Sequence, residues 1–127
     1  MKLWIDDVRP APEGYVWCKS VDEAQLVIET NERNAEWFSN QAYNLENKGY
    51  FELAKRLGRG VINSIIELID IDHDAGDYAC FGGDYIKLLD WLEETGRNYP
   101  IRIHSMNVVG IENMRAIIKK NSWKEIL

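Results

Sequence analysis

Four short apolar runs punctuate the chain, and each gives way to acid, histidine or turn residues. Lys2-Leu3-Trp4-Ile5 stops at Asp6-Asp7, with Pro10 and Pro12 following, and reads as a buried strand entering a loop. Tyr15-Val16-Trp17-Cys18, after Gly14, is a second candidate strand. Ile65-Ile66-Glu67-Leu68-Ile69-Asp70-Ile71 is β-branched, reads as the central strand, and ends at Asp72-His73-Asp74-Ala75-Gly76. Ile101-Arg102-Ile103 follows Pro100 and ends at His104-Ser105.

Helical spacing fills the intervals. Ser20 with Glu23 three residues on forms a capping box, and Ala24, Val27 and Ile28 supply the buried stripe of the helix it starts. A helix beginning near Asp84 carries Tyr85, Leu88, Leu89 and Leu92 on one face and ends around Gly96. A further helix, with Asn107 as its N-cap, carries Ile111, Met114 and Ile118. Residues 31–60 are less regular. Their aromatic content (Trp37, Phe38, Tyr43, Tyr50, Phe51) argues against a solvated tail, so one or two inserted helices are expected, closed by Gly58 and Gly60. Trp123–Leu127 could add a last short strand.

This order predicts an α/β fold of doubly wound type, one domain over residues 1–127. It implies a parallel sheet with helices on both faces, a flavodoxin- or receiver-like strand order 2-1-3-4-5, and a helical insertion at 31–60. In such sheets ligands bind beyond the carboxyl ends of the strands. Asp6-Asp7, Asp72-His73-Asp74 and His104-Ser105 all stand at such ends, on strands expected to be neighbours.

Composition narrows the chemistry. Acidic residues outnumber basic ones by 21 to 15, a net charge of −6, which argues against charge-driven binding to duplex nucleic acid or an anionic membrane. A local phosphate pocket remains compatible with that balance. Two cysteines without framework spacing fit reduced thiols. No apolar stretch is long enough to span a membrane, and acid arrives too early for a signal peptide, so a cytoplasmic protein is expected.

Carboxylates clustered at adjoining strand ends repel one another unless a cation sits among them. Asp6, Asp7 and Asp72 are therefore candidate ligands for a divalent metal, Mg²⁺ or Mn²⁺, although each alone could simply cap a loop. The chain has two histidines, His73 and His104, both just past predicted strands. Either could act as a general acid or base, with Asp74 beside His73, or serve as a structural hydrogen bonder. Ser105, Asn107 and the free N–H groups of the following helix could cradle an anion, and Arg9 could reach a phosphate bidentately. Plain capping is the competing role for Asn107. Asp70, inside the central strand, either faces the site or pairs with a nearby Lys or Arg, the pairing being the preferred expectation. The Trp and Tyr residues read as core, with Tyr78 and Phe81 the two that could stack on a base.

At these residues the sequence resembles the cyclic-phosphate processing receiver family, a divergent branch of the two-component receiver fold. The segments carrying the resemblance are Leu3-Trp4-Ile5-Asp6-Asp7-Val8-Arg9-Pro10-Ala11-Pro12, Asp72-His73-Asp74-Ala75-Gly76-Asp77, and His104-Ser105-Met106-Asn107 through Gly110 to Asn113-Met114. The resemblance implies a receiver-like domain acting on cyclic phosphates at nucleotides or RNA ends. Asp6 and Asp7 would match the receiver's metal-binding acids and Asp72 its phosphoacceptor. His73, Asp74, His104 and Ser105 would be additions that turn a switch into a catalyst. Val108 stands where the family often has Pro, and the 31–60 stretch is unusually long, which suits a lid or a partner surface.

The expected function is a metal-assisted phosphoesterase acting on a cyclic phosphate, its partner a phosphate-containing small molecule or an RNA end. The alternative is a non-catalytic or phosphoacceptor module that binds phosphate or a partner protein. Ordinary receivers read the aspartyl phosphate with a Lys just after the fifth strand, whereas Lys124 falls inside the last candidate strand.

Overall fold

The computed structural model describes residues 1–127. Its strands are β1 (Lys2–Ile5), β2 (Tyr15–Cys18), β3 (Leu68–Ile71) and β4 (Ile101–Ile103). Its helices are α1 (Val21–Asn47), α2 (Phe51–Ser64), α3 (Ile86–Glu94) and α4 (Val108–Lys120), with a 3₁₀ turn at Gly76–Cys80. The four strands form one parallel sheet in the order β2-β1-β3-β4. The expected fifth strand shrinks to a single parallel bridge, Ile101 to Glu125, placed on the outer side of β4. Two bonds hold it there: Ile101 N–H donates to Lys124 and Ile126 N–H to Ile101.

The helices do not cover both faces, as a doubly wound sheet would require. Alternation along parallel strands sends Leu3, Ile5, Cys18, Ile69, Ile71 and Ile101 to one side. On that side they share a single core with Val21, Ala24 and Ile28 of α1, Leu88, Leu89 and Leu92 of α3, and Met114 and Ile118 of α4. Connection direction accounts for this. The steps β2→β3, β3→β4 and β4→Glu125 all run the same way across the sheet, so right-handed crossovers place every helix on the same face. The one reverse step, β1→β2, would have put a helix on the other face. It is instead a loop over residues 6–14.

Two tryptophans hold that loop. Trp4 and Trp17 face each other in register on β1 and β2. The Trp4 indole donates to the Arg9 carbonyl at 2.8 Å and the Trp17 indole to the Asp6 carbonyl at 2.7 Å. Lys2, Trp4, Asp70 and Arg102 therefore share the face of the sheet that no helix covers.

The Ser20 cap forms as expected, its Oγ accepting from Glu23 N–H at 3.1 Å. The helix it starts runs on into the 31–60 stretch, where separate inserted helices were expected. It continues unbroken to Asn47, and α2 runs past Gly58 and Gly60, which were expected to close the stretch. An apolar seam against α2 sustains the polar half of α1, with the Phe38 ring packed over Gly60. Two glycines in α2 weaken the helix without ending it, at about 1 kcal/mol each relative to Ala. The start of β3 also moves, from Ile65 to Leu68. No helix is long and apolar enough to cross a membrane.

Candidate functional site

The carboxyl ends of β1, β3 and β4 bring Asp6, Asp72 and His104 together. One ligand atom from each lies within 4.8 Å of the other two, an arrangement able to hold a metal ion. Asp6 is fully buried. Its Oδ1 accepts from the backbone N–H groups of Val8 and Arg9, both at 2.9 Å, which fixes the loop and leaves Oδ2 turned to His104 Nε2 at 2.9 Å. Burial raises the Asp6 pKa, but the two backbone donors and His104 outweigh it and hold the carboxyl below its ordinary value. Asp72 Oδ1 accepts from His73 N–H at 2.7 Å, leaving its second oxygen for the site.

His104 is held from three sides. Its Nδ1 lies 2.6 Å from Asp70 Oδ1, and Asp70 Oδ2 takes Arg102 at 3.2 Å. The ring stacks on Trp4 with centroids 3.8 Å apart and planes 5° from parallel. Asp70, 2% exposed, thus pairs with Arg102 as preferred and faces the site as well. A carboxylate behind one imidazole nitrogen, with the other aimed at an open donor cluster, is how metal-binding histidines are usually oriented.

The predicted metal set named Asp7 in place of His104. The Asp7 carboxylate turns instead toward Gly76, a residue with φ of +54° where an added Cβ would overlap Asp7 Oδ2. Burial and the neighbouring charges of Asp6 and Asp72 push the Asp7 pKa up. Asp7 is therefore close in charge but outside the convergent trio.

His73 belongs to a separate group. Its Nδ1 lies 2.9 Å from Asp74 Oδ1, and this bond is the leading cause holding the Asp74 pKa down. The Asn107 amide nitrogen approaches Asp74 at 3.4 Å and His73 Nδ1 at 3.4 Å. The shorter carboxylate contact makes Nδ1 the donor, so the Asn107 amide serves Asp74. The His73 ring packs flat against α4, where a Cβ at Gly110 would come within 2.5 Å of it. The two histidines thus have different partners, joined through the Asp72–His73 backbone.

Asn107 caps α4 as expected, its Oδ1 accepting from Gly110 N–H at 2.9 Å. Ser105 Oγ accepts from Asn107 N–H at 3.1 Å, a local turn bond. The N–H groups of Val108 and Val109 stay free at the start of the helix. Arg9 is exposed, and its backbone N–H donates to Asp6 Oδ1. Tyr78 and Phe81 sit at the loop edge with ring centroids 6.5 Å apart, and the Lys19 ammonium lies over Tyr78 and Trp17.

Strands 1, 3 and 4 thus deliver their polar ends to one edge. Residues 1–50 match the cyclic-phosphate processing receiver domain. That stretch contains β1, the Asp6-Asp7 pair, the tryptophan-held loop, β2 and α1. Asp72, His73 and His104 lie beyond the receiver-type match and join it only through the sheet. No curated protein and no solved structure matches the chain.

Sequence reasoning missed the parts played by Trp4 and Trp17, which it placed in the core. The signal was present: Trp4 alternates with Leu3 and Ile5, which puts it on the same side of β1 as Asp6.

Proposed function

We propose that the chain is a metal-assisted phosphoesterase that opens a cyclic phosphate on a nucleotide or RNA end. The observation that carries this reading is the convergence of Asp6, Asp72 and His104, with the buried Asp70 fixed behind His104. The family whose model matches residues 1–50 is described by cyclic-phosphate processing, which supports the substrate class.

The donor set fits a divalent cation. Asp6 and Asp72 each keep one carboxylate oxygen clear of backbone donors, and His104 adds an imidazole nitrogen. Two oxygens and one nitrogen favour Mn²⁺ over Mg²⁺, because imidazole suits the transition metals better. Such an ion would polarise a phosphoryl oxygen and acidify a bound water. The remaining work falls to the chain. Arg9 and the free N–H groups of Val108 and Val109 would hold the phosphate. His73, oriented by Asp74, would move the proton to or from the ester oxygen through Nε2. His104, clamped between Asp6 and Asp70, is better built to bind than to shuttle.

Ordinary receivers hold a lysine beside the phosphoacceptor. Lys124 instead precedes the bridge residue Glu125 beside Ile101, at the amino end of β4 and opposite the edge bearing Asp72. Lys124 therefore does not stand in for that lysine.

The test is turnover of a 2′,3′-cyclic nucleotide with Mn²⁺ or Mg²⁺ present. Activity should fall at least 100-fold in Asp72→Asn and His73→Ala. Mn²⁺ should raise the melting temperature of the wild type and not that of Asp6→Asn. Stable labelling of Asp72 by acetyl phosphate without turnover would decide for a switch. A metal shift without either would leave a binding module.

A further inference from the structure

Residues 31–64 form most of a helical hairpin in which Ala54 alone is buried. α2 packs on α1 and on little else. Two helices sharing one seam bury too little apolar surface to be well stabilised alone, because helices in proteins depend on a packed face. The hairpin nevertheless keeps large apolar side chains in water: Tyr43 is 66% exposed, Phe51 60% and Ile62 66%.

These residues lie on one flank. In α1, Glu36, Tyr43 and Glu46 recur at helical spacing, and in α2 so do Phe51, Lys55, Gly58 and Ile62. A groove of about 310 Å³ lined by Ala42, Glu46, Phe51, Ala54, Lys55 and Gly58 joins the two stripes. The flank is also divided by charge. There α1 presents Glu36 and Glu46, whereas α2 presents Lys55, with Arg59 one turn further along.

We propose that this flank is the interface with a second copy of the chain. The two-fold axis runs parallel to the hairpin, so α1 of each copy lies over α2 of the other. A perpendicular axis would stack α1 on α1, acid against acid. The parallel axis sets acid against base, as a self-complementary surface requires. Phe38 packs over Gly60, so residues equidistant from the turn are level with each other. Glu46 of the opposing copy then lies three residues, about 4.5 Å of helix rise, from the level of Lys55, and its Glu36 lies as far from that of Arg59. The exposed apolar side chains and groove floor offer roughly 500 Å² per copy, or about 1,000 Å² in total, the lower bound for a specific interface.

Light scattering on the whole chain tests this. The wild type at 100 µM should weigh about twice 14.8 kDa and dissociate on dilution or in 1 M salt. K55E/R59E and E36K/E46K should each be monomeric with unchanged helical circular dichroism, and their equimolar mixture should regain the dimer. Phe51→Ser should weaken the dimer at least 10-fold without changing any charge, which keeps the test valid if a charge variant fails to fold. A wild type monomeric at every concentration, or a mixture that stays monomeric, would overturn the proposal.

Discussion

Replacing Asp70 with Asn tests whether the buried carboxylate organises the site. The substitution keeps the shape but removes the charge that His104 Nδ1 meets at 2.6 Å and Arg102 at 3.2 Å. A hydrogen bond to a charged group contributes about 1.5–3 kcal/mol when buried. The His104 contact merits that range, since both partners are nearly buried. The Arg102 contact merits less than about 1 kcal/mol, because the guanidinium is 41% exposed and water replaces the lost partner. The expected loss is therefore about 2 kcal/mol, almost all through His104. At about 2.1 cal/mol/K of unfolding entropy per residue, this lowers the melting temperature by roughly 7 °C. Urea unfolding followed by tryptophan fluorescence measures it, and a double-mutant cycle with His104→Ala apportions it. A coupling energy near 2 kcal/mol is expected with His104, and less than about 1 kcal/mol with Arg102→Met. Divalent affinity should fall about 10- to 100-fold, as it does when a carboxylate behind a metal-binding histidine is lost. If Asp70→Asn costs under 0.5 kcal/mol (~) and shows no coupling to His104, Asp70 does not orient the imidazole and the argument fails.

Gly110→Ala places a methyl group 2.5 Å from the His73 ring; a loss of about 1–3 kcal/mol and a shifted His73 ring resonance in NMR are expected. Ser20→Ala removes the cap that accepts from Glu23 N–H and should cost about 1 kcal/mol in chemical denaturation. Trp17→Phe deletes the indole donor to the Asp6 carbonyl; faster amide exchange in the 6–14 loop should follow, at a cost of about 1 kcal/mol. Glu32, although burial alone would raise its pKa, is held below its ordinary 4.5 by Arg97 and Tyr99. The stability this contributes is present above pH 4.5 and is lost as pH falls through the lowered folded value. Glu32→Gln should therefore flatten the acid limb of a stability–pH curve and leave a smaller difference from wild type at the lowest pH.

The edge that carries the site was legible because polar residues ending apolar runs are a local signal. Asp6, Asp72 and His104 each follow a short strand, and a parallel sheet carries all such ends to one side. The exchange of Asp7 for His104 in the convergent trio was not legible. It depends on which way the loop after β1 turns, and that turn is fixed by backbone donors reaching Asp6 and by indoles donating from Trp4 and Trp17. The length of α1 was also hidden. Its distal half is polar on three sides and is sustained by a partner helix rather than by its own pattern, so no window of sequence marks its end at Asn47.

The uncovered sheet face and the candidate site have one cause. A helix between β1 and β2 would lie over Trp4, Asp70 and Arg102, because the reverse crossover leads to that face. With a loop in its place, the connection must be stiffened by side chains, and the two tryptophans facing each other across β1 and β2 supply the donors. The same open face is where His104 stacks on Trp4 and where Asp70 meets its far nitrogen. Rebuilding the loop as a helix should therefore cost the His104–Asp70 bond before it costs the sheet. Ring-nitrogen NMR would read this directly, since an unpartnered His104 Nδ1 loses the downfield proton that a bond to a carboxylate produces. If that proton persists under a helix, the open face is incidental to the site.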